Sequence, residues 1–208
     1  MELLILGAGG HAKVVADAAL ASGQWSGVAF LDDRFPELKF IGKWSVIGRV
    51  TDLKDFIDKF PFMALGVGVN YDNHRLTWLE QGLKAGAQFP PVIHPSAVIS
   101  PFSKIGAGTV VFAGAIVNVD SEIGNACILN TGCTVDHDCM IGDGSHISPG
   151  ASLAGCVSIG KRVWVGMRAS VIQGLSVYSD VVIGAGAVVI NDVPVGAKMI
   201  GVPAKRVI

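Results

Sequence analysis

The sequence predicts two domains of different class. Residues 1–90 read as a small α/β unit, and residues 91–208 as an all-β solenoid of six-residue repeats, a parallel β-helix. Three observations carry this reading. An aliphatic residue falls on every sixth position from Ile93 to Val195. Before Ile93 that period is absent, and short apolar strands alternate with helical stretches. Between the two patterns stands Phe89-Pro90-Pro91, which punctuates the chain as a boundary.

In the first part, Glu2 to Leu6 is an apolar strand running into Gly7-Ala8-Gly9-Gly10-His11. Ala12 to Ala21 reads as an Ala/Val-rich helix that ends near Gly23. Gly27 to Leu31 is a second strand, finishing in Asp32-Asp33. Thr51 to Lys59 reads as a helix capped by Thr51 or Asp52, and Pro61 to Leu65 as a third strand leading to Gly66. Asn73 to Lys84 is a further helix, stopped by Gly86. Alternating strands and helices imply a small, Rossmann-like parallel sheet. A glycine-rich turn between strand and helix aims backbone N–H groups at a phosphate. Gly7-x-Gly9-x-x-Ala12, with Asp32 ending the second strand, fits the loosest form of a dinucleotide fingerprint. A tight structural turn and a site for a nucleotide or nucleotide-sugar both fit it. NAD fits less well, because some ninety residues give room for half of a full dinucleotide fold.

In the second part, successive strand side chains point to opposite faces, so two inward residues flank one outward residue in each unit. Three units make a triangular coil of about eighteen residues, and residue n stacks under n+18 at roughly 4.8 Å. Four residues after each aliphatic comes a small or apolar residue, from Ala97 to Met199. Cys127, Cys133 and Cys139 fill three successive slots of that kind, which places them inside the coil as small core residues. GVPAK at 201–205 is a candidate cap.

Half the residues are hydrophobic and only 16% are charged, which suits a repeat protein that buries flat faces against neighbours. A net charge of −1 gives no electrostatic case for nucleic acid or an anionic membrane. No apolar run reaches membrane-spanning length, and the first residues are not a basic-flanked signal, so the chain reads as cytoplasmic.

Against this bland repeat, Asp136-His137-Asp138 and His146 stand out. His137 falls at a corner, and His146 in mid-strand, projecting outward. An imidazole is neutral near pH 7 and can take a proton, and either flanking carboxylate could orient it. One coil above His137 lies Gly155, whose missing side chain would let a ligand oxygen approach the backbone N–H. A surface histidine at 137 and a packing histidine at 146 are the plainer readings. The two histidines lack a third at coil spacing, so no metal is expected.

GAGGHAKVV, FLDD, LNTGCTVDHDCMIGDGSHISPGASLAG and GVPAK together resemble bacterial nucleotide-sugar acetyltransferases. That group includes sialic-acid O-acetyltransferase-like proteins and N-acetyltransferases of nucleotide-linked 4-amino-4,6-dideoxy sugars. The resemblance implies a left-handed β-helix, a homotrimer, and acetyl-CoA in the groove between neighbouring β-helices. It implies His137 as catalytic base with Asp138 raising its basicity, and His146, Gly155, Met167 and Ala185 as acetyl-CoA contacts. It implies Gly9, Gly10, His11, Asp32 and Asp33, with Gly66 at the third strand's end, as the nucleotide-sugar pocket. The expected activity is N-acetylation of a nucleotide-linked amino sugar; sugar O-acetylation and a non-catalytic binding trimer are the alternatives. Asp138 replaces the Glu of some relatives, and GVGVNYDN at 66–73 is longer than the expected Gly-Asn turn.

Overall fold

A computed structural model describes residues 1–68 and 74–207 and divides the chain into two compact units, Met1–Pro95 and Ser96–Ile208. In the first unit, strands β1 (Glu2–Leu6), β2 (Gly27–Leu31), β3 (Phe40–Ile41), β4 (Trp44–Gly48) and β5 (Met63–Leu65) form one sheet in the order β3-β4-β2-β1-β5. β1 pairs in parallel with β2 and β5, and β2 with β4; only β3 runs antiparallel. Leu3 to Leu6 are buried without interruption, as a central parallel strand covered on both faces requires. Helix α1 (Gly10–Ala21) starts two residues earlier than the sequence suggests, and α2 spans His74–Ala85. Of the 66–73 stretch, residues 69–73 lie outside the described residues.

The sequence reading is corrected at two places here. The expected helix near Thr51 is a 3-10 helix, Val50–Phe56, whose N-cap is Arg49. Two carboxylates set that start: Asp52 accepts the Arg49 N–H at 3.3 Å and Asp33 accepts the Val50 N–H at 3.1 Å. The β3–β4 hairpin was not anticipated; it turns through Gly42, whose φ of +59° only glycine adopts without cost.

The second unit is a parallel β-helix of two-residue strands on three faces. One face stacks Val98–Ile99, Ile116–Val117, Thr134–Val135, Ser152–Leu153, Ser170–Val171 and Val188–Val189, each step being eighteen residues. A second runs from Lys104–Ile105 to Ser176–Val177, and a third carries Val110–Val111, Ile128–Leu129, His146–Ile147, Trp164–Val165 and Val182–Ile183. From Val111 to Val189 every sixth residue is buried; each such aliphatic stabilises the fold by about 1.5–3 kcal/mol. Cys127, Cys133 and Cys139 are buried inside the coil as free thiols.

Corners are made by one left-handed residue per unit. Asp120, Ala126, Asp138, Cys156, Arg162, Arg168 and Asp180 all have φ between 52° and 63°, at positions where other units place glycine. The series expected to end at Val195 ends sooner, for Val195 is exposed. After Val189 the last coil is shortened by two residues: Val193 bridges Val177, and Met199 pairs with Ile183. Val193 therefore takes the inward place. Lys198–Ile200 and Lys205–Val207 close the end as an antiparallel pair. No helix among the described residues is long and apolar enough to cross a membrane.

Candidate active site

At the corner following strand Thr134–Val135, the His137 ring lies beside the next residue's carboxylate, with Nδ1 to Asp138 Oδ2 at 2.7 Å. The left-handed backbone of Asp138 turns its side chain back toward the ring. A carboxylate only accepts, so the neutral imidazole carries its proton on Nδ1 and leaves Nε2 free to take another. Asp136, the other candidate partner, serves the backbone instead. Its Oδ1 accepts the His137 N–H at 2.8 Å and Asn118 Nδ2, one coil below, at 2.8 Å. Buried Ser121 fixes the corner from inside, donating to Asp136 O at 2.6 Å and accepting the Cys139 N–H at 3.1 Å.

The His137 side chain is 51% exposed, so a ligand can reach it. Its pKa is raised above the ordinary value, first by the hydrogen bond to Asp138, which outweighs the opposing desolvation, and then by the charges of Asp136 and Asp138.

Gly155 sits one coil above, and here the sequence reading needs correction. The space a side chain would fill is not open to a ligand: a Cβ there would lie 2.6 Å from both Cε1 and Nε2 of His137. The glycine makes room for the base itself. Its N–H has no acceptor among the described residues.

The flat face of Thr134, Ser152 and Ser170 forms the floor of a groove of about 440 Å³, whose lining also includes Asp136, Ala154 and Ile172. His137 and Gly155 stand at the corner where this face ends. Met167 and Ala185, both exposed and eighteen residues apart, stand one above the other at the corner where it begins.

His146 is not brought to this site in the same chain. It lies on the third face, paired between Ile128 and Trp164, and is only 8% exposed, with Nε2 3.0 Å from Asn130 Nδ2. Cys156, which the sequence reading passed over, does belong here. It is exposed, stacks eighteen residues above Asp138, and donates its N–H to His137 O at 2.9 Å.

In the first unit, Gly9 and Gly10 are exposed at the start of α1, and a Cβ at either would meet nothing within 4 Å. Gly9 caps the helix without a side-chain bond, so the first N–H groups face outward with the positive end of the helix dipole. His11 is mostly buried; burial first, and then the charge of Arg75, push its pKa down to about 4, so it stays neutral near pH 7. Asp32 braces the glycine turn: its Oδ2 accepts the Ala8 N–H at 2.7 Å, while Arg34 bonds both Asp32 and Ala8 O. Against the upward pull of burial, these bonds hold the Asp32 carboxyl below the usual range. Asp33 is engaged by the Val50 N–H. Gly66 is buried, and a Cβ there would lie 2.6 Å from Gly7 O. Asp32 and Gly66 therefore shape the glycine turn, and Asp33 caps the 3-10 helix.

The comparisons bear on both units. The PglD N-terminal domain family matches residues 2–77, and the bacterial transferase hexapeptide family (six repeats) matches residues 120–155. The chain is similar to the acetyltransferase domain of PglB from Neisseria gonorrhoeae FA1090, at 39% identity over 99% of both chains and a TM-score of 0.93. That domain has also been solved with acetyl coenzyme A. It is similar to perosamine N-acetyltransferase from Caulobacter crescentus, solved with CoA and GDP-perosamine, at 36% identity over 99% of this chain and 96% of that one, TM-score 0.92. UDP-N-acetylbacillosamine N-acetyltransferase of Bacillus subtilis (strain 168) is 37% identical over 115 residues, 54% of this chain and 51% of the relative, so the match spans about half of its length.

Proposed function

The chain belongs to the family of the PglB acetyltransferase domain and perosamine N-acetyltransferase, left-handed β-helix enzymes with hexapeptide repeats, and from that membership we propose that it is an acetyl-CoA-dependent N-acetyltransferase. Its substrate is a UDP-, dTDP- or GDP-linked 4-amino-4,6-dideoxy sugar, made and used in the cytoplasm. The observation that carries the reading is His137, oriented by Asp138 and seated on a residue with no side chain, at the edge of a flat groove.

His137 Nε2 takes a proton from the sugar amine as that nitrogen attacks the thioester carbonyl. The C–S bond breaks, the amide forms, and the protonated imidazole returns its proton to the departing thiolate, which leaves as free coenzyme A; no acyl-enzyme intervenes. The Gly155 N–H supports the oxygen on which charge develops. Along the groove, Met167 and Ala185 border the pantetheine path. His146, buried on the third face, supports through Asn130 the corner at which the groove begins, with little direct contact. Gly9, Gly10 and neutral His11 receive the phosphates at the start of α1, on a turn shaped by Asp32 and Gly66, with Asp33 behind it at the 3-10 helix.

Coenzyme A release should accelerate when a UDP-, dTDP- or GDP-linked 4-amino sugar is added with acetyl-CoA, with one amide formed per thiol. Release that responds only to hydroxyl sugars would replace this reading by O-acetylation, and no response to any of them would leave a binding protein. The low charge and flat faces also fit a homotrimer. Sedimentation should find three chains per particle at micromolar protein; a stable, fully active monomer overturns a shared cofactor groove.

A further inference from the structure

We propose that His137, Asp138 and Cys156 form a binding site for a thiophilic divalent cation, zinc foremost, and that its occupancy switches off acetyl transfer by capping the base. The inhibition half rests on the functional reading above; the binding half stands on geometry alone. One ligand atom from each residue can be chosen so that all three lie within 4.8 Å of one another. Ligands on a tetrahedral zinc, with bonds of roughly 2.0–2.3 Å, sit about 3.3–3.8 Å apart, so side-chain rotation alone closes the set. The backbone already aims them. Asp138 and Cys156 occupy the same corner in successive coils, with φ of 57° and 60°, and the Cys156 N–H bond to His137 O locks the second coil to the first.

The donor set has the right chemistry. Imidazole nitrogen with thiolate sulfur selects zinc and its neighbours over magnesium or calcium, and the carboxylate adds a third ligand and a charge. Asp136, beside His137, contributes further negative potential without ligating. A fourth position stays open to water. The Cys156 thiol is exposed at this corner, where the next coil places Gly174. The other three cysteines are buried in the coil and cannot reach an ion outside it. The cation and the amine proton compete for one imidazole, so binding and catalysis exclude each other.

The test uses the full chain in metal-free buffer, with amide product read by chromatography so that zinc cannot disturb a thiol assay. Cobalt(II) should bind one ion per chain with a thiolate-to-metal charge-transfer band, and Cys156→Ser should abolish that band. Zinc should inhibit the wild type reversibly, a chelator should restore it, and Cys156→Ser, measured against its own zinc-free rate, should need at least about tenfold more zinc, the loss that even outer-sphere changes produce. Inhibition equal in wild type and Cys156→Ser, or a cobalt spectrum without the sulfur band, overturns the site. A sulfur band that depends on Cys156 in a protein with no acetyl transfer to inhibit would uphold the site and overturn the functional reading instead.

Discussion

His137→Asn should lower kcat by about 10²- to 10⁴-fold at saturating concentrations of both substrates, while leaving folding and both binding steps nearly intact. The size follows from the worth of a positioned general base, roughly 3–5 kcal/mol of transition-state stabilisation. Asparagine keeps the hydrogen bond to Asp138 but has no nitrogen that can take a proton. The wild-type pH profile supplies an independent readout. His137 must be neutral to act, so kcat should fall as pH drops through its pKa. The hydrogen bond that His137 donates to Asp138 raises that pKa, so the acidic limb should sit above the ordinary histidine value. Asp138→Asn removes the chief cause of the rise, and the limb should move to lower pH as activity falls. A His137→Asn variant with near-wild-type kcat and an unchanged acidic limb would place the base elsewhere.

Gly155→Ala should cost about 10²-fold in kcat, the penalty of displacing a catalytic group by an ångström or so. An added methyl would lie 2.6 Å from Cε1 and Nε2 of His137, nearer than atoms approach, and the ring must swing away. It is the outer end of an exposed side chain, so it yields more readily than the coil, and stability should change little. In yielding it leaves Asp138, and the acidic limb should shift down with the rate. Retention of kcat within a few-fold, with the limb unmoved, would mean that the ring has another productive seat and that Gly155 matters only for its N–H. This substitution separates room for the base from support of the oxygen, since alanine keeps the N–H.

The coil was legible because its period leaves each position one face. Eighteen-residue arithmetic puts Gly155 above His137, and the same step from Asp138 reaches Cys156. Which carboxylate holds the ring was open in the sequence, because both neighbours could reach it. The left-handed turn at Asp138 settles the choice by rotating one carboxylate toward Nδ1 while Asp136 points to the backbone. Burial of His146 could not be read from alternation, which assigns a side but not what covers it. In the α/β unit, the β3–β4 hairpin was missed because its strands are short and Gly42 is its single turn signal. Asp32 and Asp33 looked alike in sequence. Only the fold shows that one braces the glycine turn and the other caps a 3-10 helix.

The stacking of a base on the backbone of the following coil also constrains how such a chain can change in length over generations. Whole turns can be copied or lost at little structural cost, because a step of eighteen residues returns every inward aliphatic to its column. The shortened turn after Val189 shows that even this rule relaxes at the closing end. Duplication of a turn before residue 137 or after 155 therefore leaves the imidazole over its own glycine. A turn inserted between them would seat a newcomer on the ring and carry Gly155 away by one strand spacing, about 4.8 Å. The cylinder is thus free to lengthen from either end, and its one inviolable joint lies between the coil of His137 and the coil of Gly155.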